Sequence, residues 1–356
     1  MKILVVSNMG AKLSAPLLGS FVDQQVSALK KNKLDISYYK MTYNGDNYLY
    51  KLFKYPLFFL QFIFTHVLSA RKFDIIHVHY YFPTIICAAL YKTFRNKKVK
   101  VIVTCHGGDI YCYQSPGWLY RKLSFIVDHW LFTSQQLKER FYRDVNNTNI
   151  ICAGYDDNVF NFDGHGSVRT IDCLLVGNLD QNKGIDRLMA LVVAMPKVQF
   201  AVAGAGGFQL KLEQCTLENK NLVLLGAIKP KALASRIKQA KCLLSLSRNE
   251  SFGLVIAEAN ACGTPCIATE TDGSNEQLTN WPYLVPQQNV QEVDVVYQLQ
   301  EKITKLLSLN ITQYQQLQYQ AQKRAINYSL SNIILTIEQL YQKLYLSQQN
   351  EYKNVQ

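Results

Sequence analysis

What the chain lacks narrows its class. Its nine cysteines, at positions 87, 105, 112, 152, 173, 215, 242, 262 and 266, include no C-x-x-C pair. An odd count without metal spacing, with many of the thiols inside apolar runs, points to reduced cysteines within a cell, not to a zinc ribbon or a disulfide frame. No apolar run is long enough to cross a bilayer. Tandem repeats are absent, and so are helix-turn-helix, zinc and RNP patterns, so nucleic acid is not an expected partner. The dinucleotide fingerprint is also incomplete: Gly204-Ala205-Gly206-Gly207 is followed by Gln209 where a third glycine belongs. Acidic residues are scarce, 26 Asp plus Glu against 38 Lys plus Arg, for a net charge of +12. Their shortage is uneven: residues 1–165 carry 20 basic against 11 acidic side chains (20 − 11 = +9), and the remainder 18 against 15 (18 − 15 = +3). A basic field on the first half suits an anionic membrane surface or a phosphate-bearing partner.

The 356 residues, 48% apolar and 18% charged, suit a soluble protein of two ordinary domains. Met1 to Val6 reads as the start of a strand, too short for a signal peptide, so a cytoplasmic location is expected. Strand Ile3 to Ser7, a loop with Gly10, Pro16 and Gly19, and a helix from Phe21 to Lys31 open a doubly wound α/β domain, whose ligands gather at the carboxyl ends of its strands. Further strands follow at Phe73 to Tyr80 and at Val99 to Thr104, which delivers Cys105-His106-Gly107-Gly108-Asp109. His77 and His79 share one side of their strand with no third ligand at metal spacing, so packing or hydrogen bonding is expected of them. Residues 163–168 have linker composition, and the strand pattern restarts at Ile171 to Val176. The predicted division is 1–165, 166–330 and a tail, 331–356, built as a helix.

The most informative stretch is Ser245 to Thr269. It reads as a strand end, a polar loop with Glu250, a turn at Gly253, a small-residue helix with Glu258, a Gly263-Thr264-Pro265 stop and another strand. Backbone N–H groups at Gly253, Leu254 and Val255 are the orphan donors of a helix start, which favour a phosphate through their hydrogen bonds and the helix dipole. Glu258, one turn further, can accept hydrogen bonds from vicinal sugar hydroxyls, and Glu250 faces the other end of the same ligand. Taken singly, each glutamate is more often an ordinary loop or surface carboxylate; the combination is what carries information.

Glu250, Phe252, Gly253 and Glu258, followed by Cys262-Gly263-Thr264-Pro265, resemble the signature of the retaining glycosyltransferases of family 4, which have the GT-B fold. That resemblance implies two Rossmann-like doubly wound domains facing across a cleft, with a C-terminal helix crossing back to the first. It also implies roles: Glu250 on the donor sugar, Phe252, Gly253 and Leu254 at the diphosphate, and Glu258 on the nucleotide ribose. His106 falls where the family has a histidine near the reacting centre, with Asp109 as its neighbour or an acceptor contact. Lys183-Gly184 matches a Lys-Gly that grips the diphosphate, while Asn178 stands where an Arg is usual. Gly19 stands at the donor-phosphate loop, though Ser20 replaces a second glycine, and Ala153 replaces an Asn before Gly154. The base is expected against the backbone near Ile228, and Glu276 is expected to be structural.

The resemblance implies transfer of a hexose-type sugar from a UDP- or GDP-linked donor to a glycan or lipid-linked glycan, as in surface polysaccharide assembly. The sequence has no Asp-x-Asp, so neither metal nor other cofactor is expected, and Lys183 with the helix start would stabilise the leaving diphosphate. The family's retention is ascribed to front-face substitution, which gives His106 and Glu250 positioning and electrostatic roles. Segment 48–72, rich in aromatics with four Lys or Arg and no acid, fits either a helix covering the sheet or a membrane-interface contact. Two other readings stay open: a sugar-nucleotide-binding module without catalysis, and a peripheral membrane or polyanion-binding protein.

Overall fold

The computed structural model describes residues 1–10, 19–42, 48–162, 164 and 168–353. These form two compact units, Met1–Gly154 together with Leu330–Gln356, and Tyr155–Ser329. The first unit holds β1 (Lys2–Ser7), β2 (Asp35–Lys40), β3 (Ile75–His79), β4 (Lys100–Cys105), β5 (His129–Phe132) and β6 (Thr148–Ile150), in the order β2-β1-β3-β4-β5-β6. The second holds β7 (Ile171–Val176), β8 (Phe200–Ala203), β9 (Leu222–Gly226), β10 (Ala240–Ser245), β11 (Cys266–Thr269) and β12 (Leu284–Val285), in the order β12-β11-β10-β7-β8-β9. Every pairing in both sheets is parallel.

The physical reason is visible in the strands. Ile3, Leu4, Val5 and Val6 are all fully buried, as a parallel strand covered by helices on both faces requires. Each sheet reverses its winding once, between β1 and β3 in the first unit and between β7 and β10 in the second, and such switch points are where loops part to admit a ligand.

The division between the units falls at Gly154/Tyr155, ahead of the linker expected at 163–168, most of which lies outside the described residues. The cause is local pairing: the Tyr155 N–H donates to the Tyr328 carbonyl (3.0 Å) and Lys238 Nζ to Asn161 Oδ1 (3.2 Å), so residues after 154 belong to the second unit. The final helix, Leu330–Lys353, packs on the first unit, where Ile337 and Tyr341 are fully buried and Gln348 Nε2 donates to the Lys98 carbonyl (2.6 Å).

Segment 48–72 is a helix, Tyr48–Phe62, passing into a wider turn, Ile63–Val67. One side is core: Phe58 and Phe62 are buried, and the Tyr39 hydroxyl donates to the Phe58 carbonyl (2.6 Å). The other side exposes Leu52, Phe53, Leu57, Leu60, Phe64 and Leu68. No helix among the described residues is long and apolar enough to cross a membrane.

Candidate active site

In the second unit the loops that follow β7 and β10 flank the switch point. Lys183 lies on the first loop and Glu250 on the second, and the Lys183 ammonium donates to Glu250 Oε2. Several bonds fasten the two loops together. The Arg248 N–H donates to the Asn182 carbonyl (2.7 Å), and the Asn182 and Asn249 amides are reciprocally bonded, Nδ2 of Asn182 to the Asn249 carbonyl (3.0 Å) and the Asn249 N–H to Asn182 Oδ1 (3.1 Å). Gly184 makes the approach possible: a Cβ there would lie 2.2 Å from the Leu246 carbonyl oxygen, and its φ of +72° favours glycine.

Behind the loops stands an ionic network. Arg187, 3% exposed, makes a bidentate pair with Glu292 (2.8 Å for both bonds) and donates to Gln287 Oε1 (2.8 Å). Arg248 makes a second bidentate pair, with Asp186 (2.9 and 2.7 Å). Gln287 Nε2 returns to the loop, donating to the carbonyls of Ser247 and Arg248 (both 3.1 Å). None of Arg187, Gln287 and Glu292 was among the expected site residues; the run of polar residues around Arg248 was the only sequence signal near them.

The turn after Glu250 leads into the helix Leu254–Ala261 with Gly253 as its left-handed cap, φ +76°; a Cβ there would lie 3.1 Å from Glu250 Cγ. Gln277 Nε2 donates to the carbonyls of Phe252 and Gly253, and the Gly273 N–H to the Glu250 carbonyl (2.8 Å). The turn is thereby held from behind, and its N–H groups are the ones facing outward from the helix start. The Phe252 ring is buried edge-on against Tyr328 (5.2 Å), so its backbone, not its ring, belongs to the turn. Leu254 opens the helix half-buried. Glu258, about 7.5 Å along the axis from Gly253, is half-buried, and burial pushes its carboxyl up to about 7.

Asn178 is exposed, and its amide donates to Asp180 Oδ2 (2.5 Å), while Asp180 Oδ1 accepts from the Lys183 N–H (2.9 Å). Asn178 therefore builds the loop that carries Lys183. Ile228 lies half-buried in the loop after β9, two strands from the switch-point strand β7.

In the first unit Gly19 caps the helix Ser20–Lys31 in left-handed conformation. His106 leaves β4 with its ring against those of Tyr80 (4.9 Å) and Phe21 (5.0 Å), and with its Nε2 3.1 Å from His79 Nδ1. Burial lowers the His106 pKa well below the usual histidine value, with His79 contributing, so the ring is neutral. Asp109, expected as a neighbour of His106 or an acceptor contact, turns its carboxylate inward. It is 1% exposed and accepts from the N–H groups of Tyr81 (2.7 Å), His106 (3.0 Å) and Gly107 (2.9 Å). Burial pushes its carboxyl up against the opposing effect of those N–H groups. Its geometry makes it the anchor of the loop under His106. Among the described residues no group of three or more His, Cys, Asp or Glu is placed to hold a metal ion.

Comparison with known proteins gives the following matches. Residues 164–324 match the family model described as glycosyl transferases group 1, and residues 31–158 the model described as glycosyltransferase family 4. The N-acetyl-alpha-D-glucosaminyl L-malate synthase of Bacillus anthracis is 27% identical over 280 residues, 70% of each chain. An O-antigen biosynthesis glycosyltransferase of Escherichia coli is 26% identical over 237 residues, 56% of this chain and 62% of that protein. A solved sucrose-phosphate synthase of Thermosynechococcus elongatus, 19% identical, superposes with a TM-score of 0.79 over 98% of this chain and 100% of that one.

Proposed function

The chain belongs to glycosyltransferase family 4 and has its GT-B fold; from that premise we propose that it moves a hexose-type sugar from a UDP- or GDP-linked donor to a glycan or lipid-linked glycan, with retention and without metal. The observation that carries this reading is the meeting of Lys183 and Glu250 beside the helix start at Gly253, at the switch point of the second sheet. Lys183 and the outward N–H groups would take the diphosphate and stabilise it as it leaves. Glu258 would accept the ribose hydroxyls, Glu250 the donor sugar's, and the backbone near Ile228 would meet the base. Gly19 would admit the donor phosphate from the first unit, where His106 would stand at the reacting centre on the loop anchored by Asp109.

The same reading places the protein in surface polysaccharide assembly at the cytoplasmic face of a membrane, which the exposed face of segment 48–72 and the basic first half support. The relative from Bacillus anthracis carries a small hydroxy acid in its name, so L-malate belongs in the acceptor panel beside lipid-linked glycans.

The test is calorimetric titration with UDP and with GDP in EDTA, followed by turnover of the matching sugar nucleotides. Saturable metal-free binding of one nucleotide together with transfer supports the proposal. Binding without transfer or donor hydrolysis would leave a non-catalytic sugar-nucleotide module. No binding, with salt-sensitive adhesion to anionic vesicles that survives Glu258→Ala, would leave a membrane or polyanion scaffold.

A further inference from the structure

Three histidines are packed in a row in the first unit. His77 and His79 are both buried on β3, their ring centroids 4.4 Å apart, and His79 meets His106. Both nitrogens of His77 are engaged, Nδ1 with the Tyr341 hydroxyl of the final helix (2.6 Å) and Nε2 with Thr104 Oγ1 (2.7 Å). His79 and His106 have ring planes only 19° apart and centroids 5.3 Å apart. With Nδ1 of one ring 3.1 Å from Nε2 of the other, the rings meet edge to edge, and the facing nitrogens have room for a single proton.

The remaining nitrogen decides who holds that proton. His79 is 1% exposed and its Nε2 has no hydrogen-bond partner among the described residues. Were His106 the donor, neutral His79 would carry its own hydrogen on that buried Nε2, an orphaned N–H of the kind folded proteins rarely tolerate. Were His79 the donor, only a lone pair would be left unsatisfied, the lesser penalty.

We propose that His79 is a positioning residue that donates its Nδ1–H to His106 Nε2 and so locks His106 in the Nδ1–H tautomer. An unrestrained histidine in water prefers its proton on Nε2, so His79 reverses the sense in which His106 can give and take hydrogen bonds. Tyr341 and Thr104 fix His77 from both ends, and the His77 ring packs against that of His79, tilted by 32°. A histidine two residues before the end of β3 and a tyrosine of the final helix thereby reach the orientation of His106. This inference deepens the placement of His106 at the reacting centre and rests on that placement for its functional meaning; the measurement below needs no substrate, so the two can fail separately.

The experiment is long-range 1H–15N correlation on the full chain labelled at its six histidines, with His106→Gln identifying the His106 signals. The wild type is expected to show His106 protonated at Nδ1 and bare at Nε2. His79→Phe, which keeps a flat ring without a donor, is expected to lose that signature to the Nε2–H form. His79→Asn, whose amide can still donate to His106, is expected to restore the Nδ1–H form. An Nε2–H His106 in the wild type overturns the proposal, as does an Nδ1–H signature unchanged in a folded His79→Phe. If His79→Phe does not fold, the wild-type tautomer and its retention in His79→Asn decide the matter alone.

Discussion

The ammonium of Lys183 is bonded to the carboxylate of Glu250, and each sits half-buried on its own switch-point loop. A phosphate that takes Lys183 must therefore compete with Glu250, and a sugar hydroxyl that takes Glu250 releases Lys183. Removing the carboxylate charge removes the competitor. Glu250→Gln is expected to bind UDP at least as tightly as the wild type by calorimetry while donor turnover falls about a hundredfold or more. Lys183→Ala is expected to weaken UDP binding by about tenfold or more, the range of a lost charge-assisted hydrogen bond. UDP binding that is weakened equally by both changes would contradict this division of labour.

Glu258 gives a pH-dependent result. Its carboxyl titrates near 4.5 when exposed and at about 7 in the fold, because burial disfavours the charge. Between those values the folded chain holds a proton that the unfolded chain has released, so this group's contribution to stability falls as pH rises through the window and is lowest above it. Glu258→Gln removes the liability. It is expected to raise thermal stability relative to wild type at pH 8, by at most about 3 kcal/mol, and to leave it unchanged at pH 4. The same variant is expected to lose UDP affinity at pH 8, where the wild-type carboxylate is ionised. Melting curves at the two pH values and a titration at pH 8 check both halves.

Much of this architecture is legible in the sequence because parallel strands buried on both faces leave continuous apolar runs, as Ile3 to Val6 of β1 does. β2 is different: as an edge strand it buries only Ile36 and Tyr39 of its six residues, and Asp-Ile-Ser-Tyr-Tyr-Lys leaves no such run. The loops of the candidate site can also be found from sequence, since Lys183-Gly184 and Glu250 each follow a buried strand. What ties them is not legible. Arg187 and Glu292 are 105 positions apart, and only the fold brings them to 2.8 Å. Asp109 likewise has the look of a ligand-facing acid, and three converging N–H groups from two segments make it an internal anchor.

That Arg187 network is expected to support the loops from behind. Arg187→Ala would leave the Leu246 carbonyl and Gln287 Oε1 without their donor and open a cavity where the side chain is 3% exposed. A loss of about 2–4 kcal/mol is expected, against less than about 1 kcal/mol for Glu292→Ala, whose side chain is 54% exposed. Chemical denaturation of the two variants separates them; equal losses would mean that the pairing with Glu292, not the bonds of Arg187 to Leu246 and Gln287, carries the network.

The exposed side of helix Tyr48–Phe62 sets the last expectation. Leu52, Phe53, Leu57 and Leu60 project from the helix, followed by Phe64 and Leu68, while Phe58 and Phe62 hold it to the core. Lys54, Arg71 and Lys72 lie in the same segment, with no acid between Tyr48 and Lys72. An apolar face flanked by cations suits the boundary of an anionic bilayer, where each buried apolar side chain contributes about 1.5–3 kcal/mol and each nearby cation about 1 kcal/mol. The protein is expected to sediment with vesicles containing phosphatidylserine, to bind them less at high salt, and to ignore purely zwitterionic vesicles. Leu57→Asp is expected to reduce vesicle binding about tenfold or more without lowering the melting temperature, because that side chain is 44% exposed. If Leu57→Asp sediments like the wild type, this face does not touch lipid, and the basic charge of the first half would have to act through another surface.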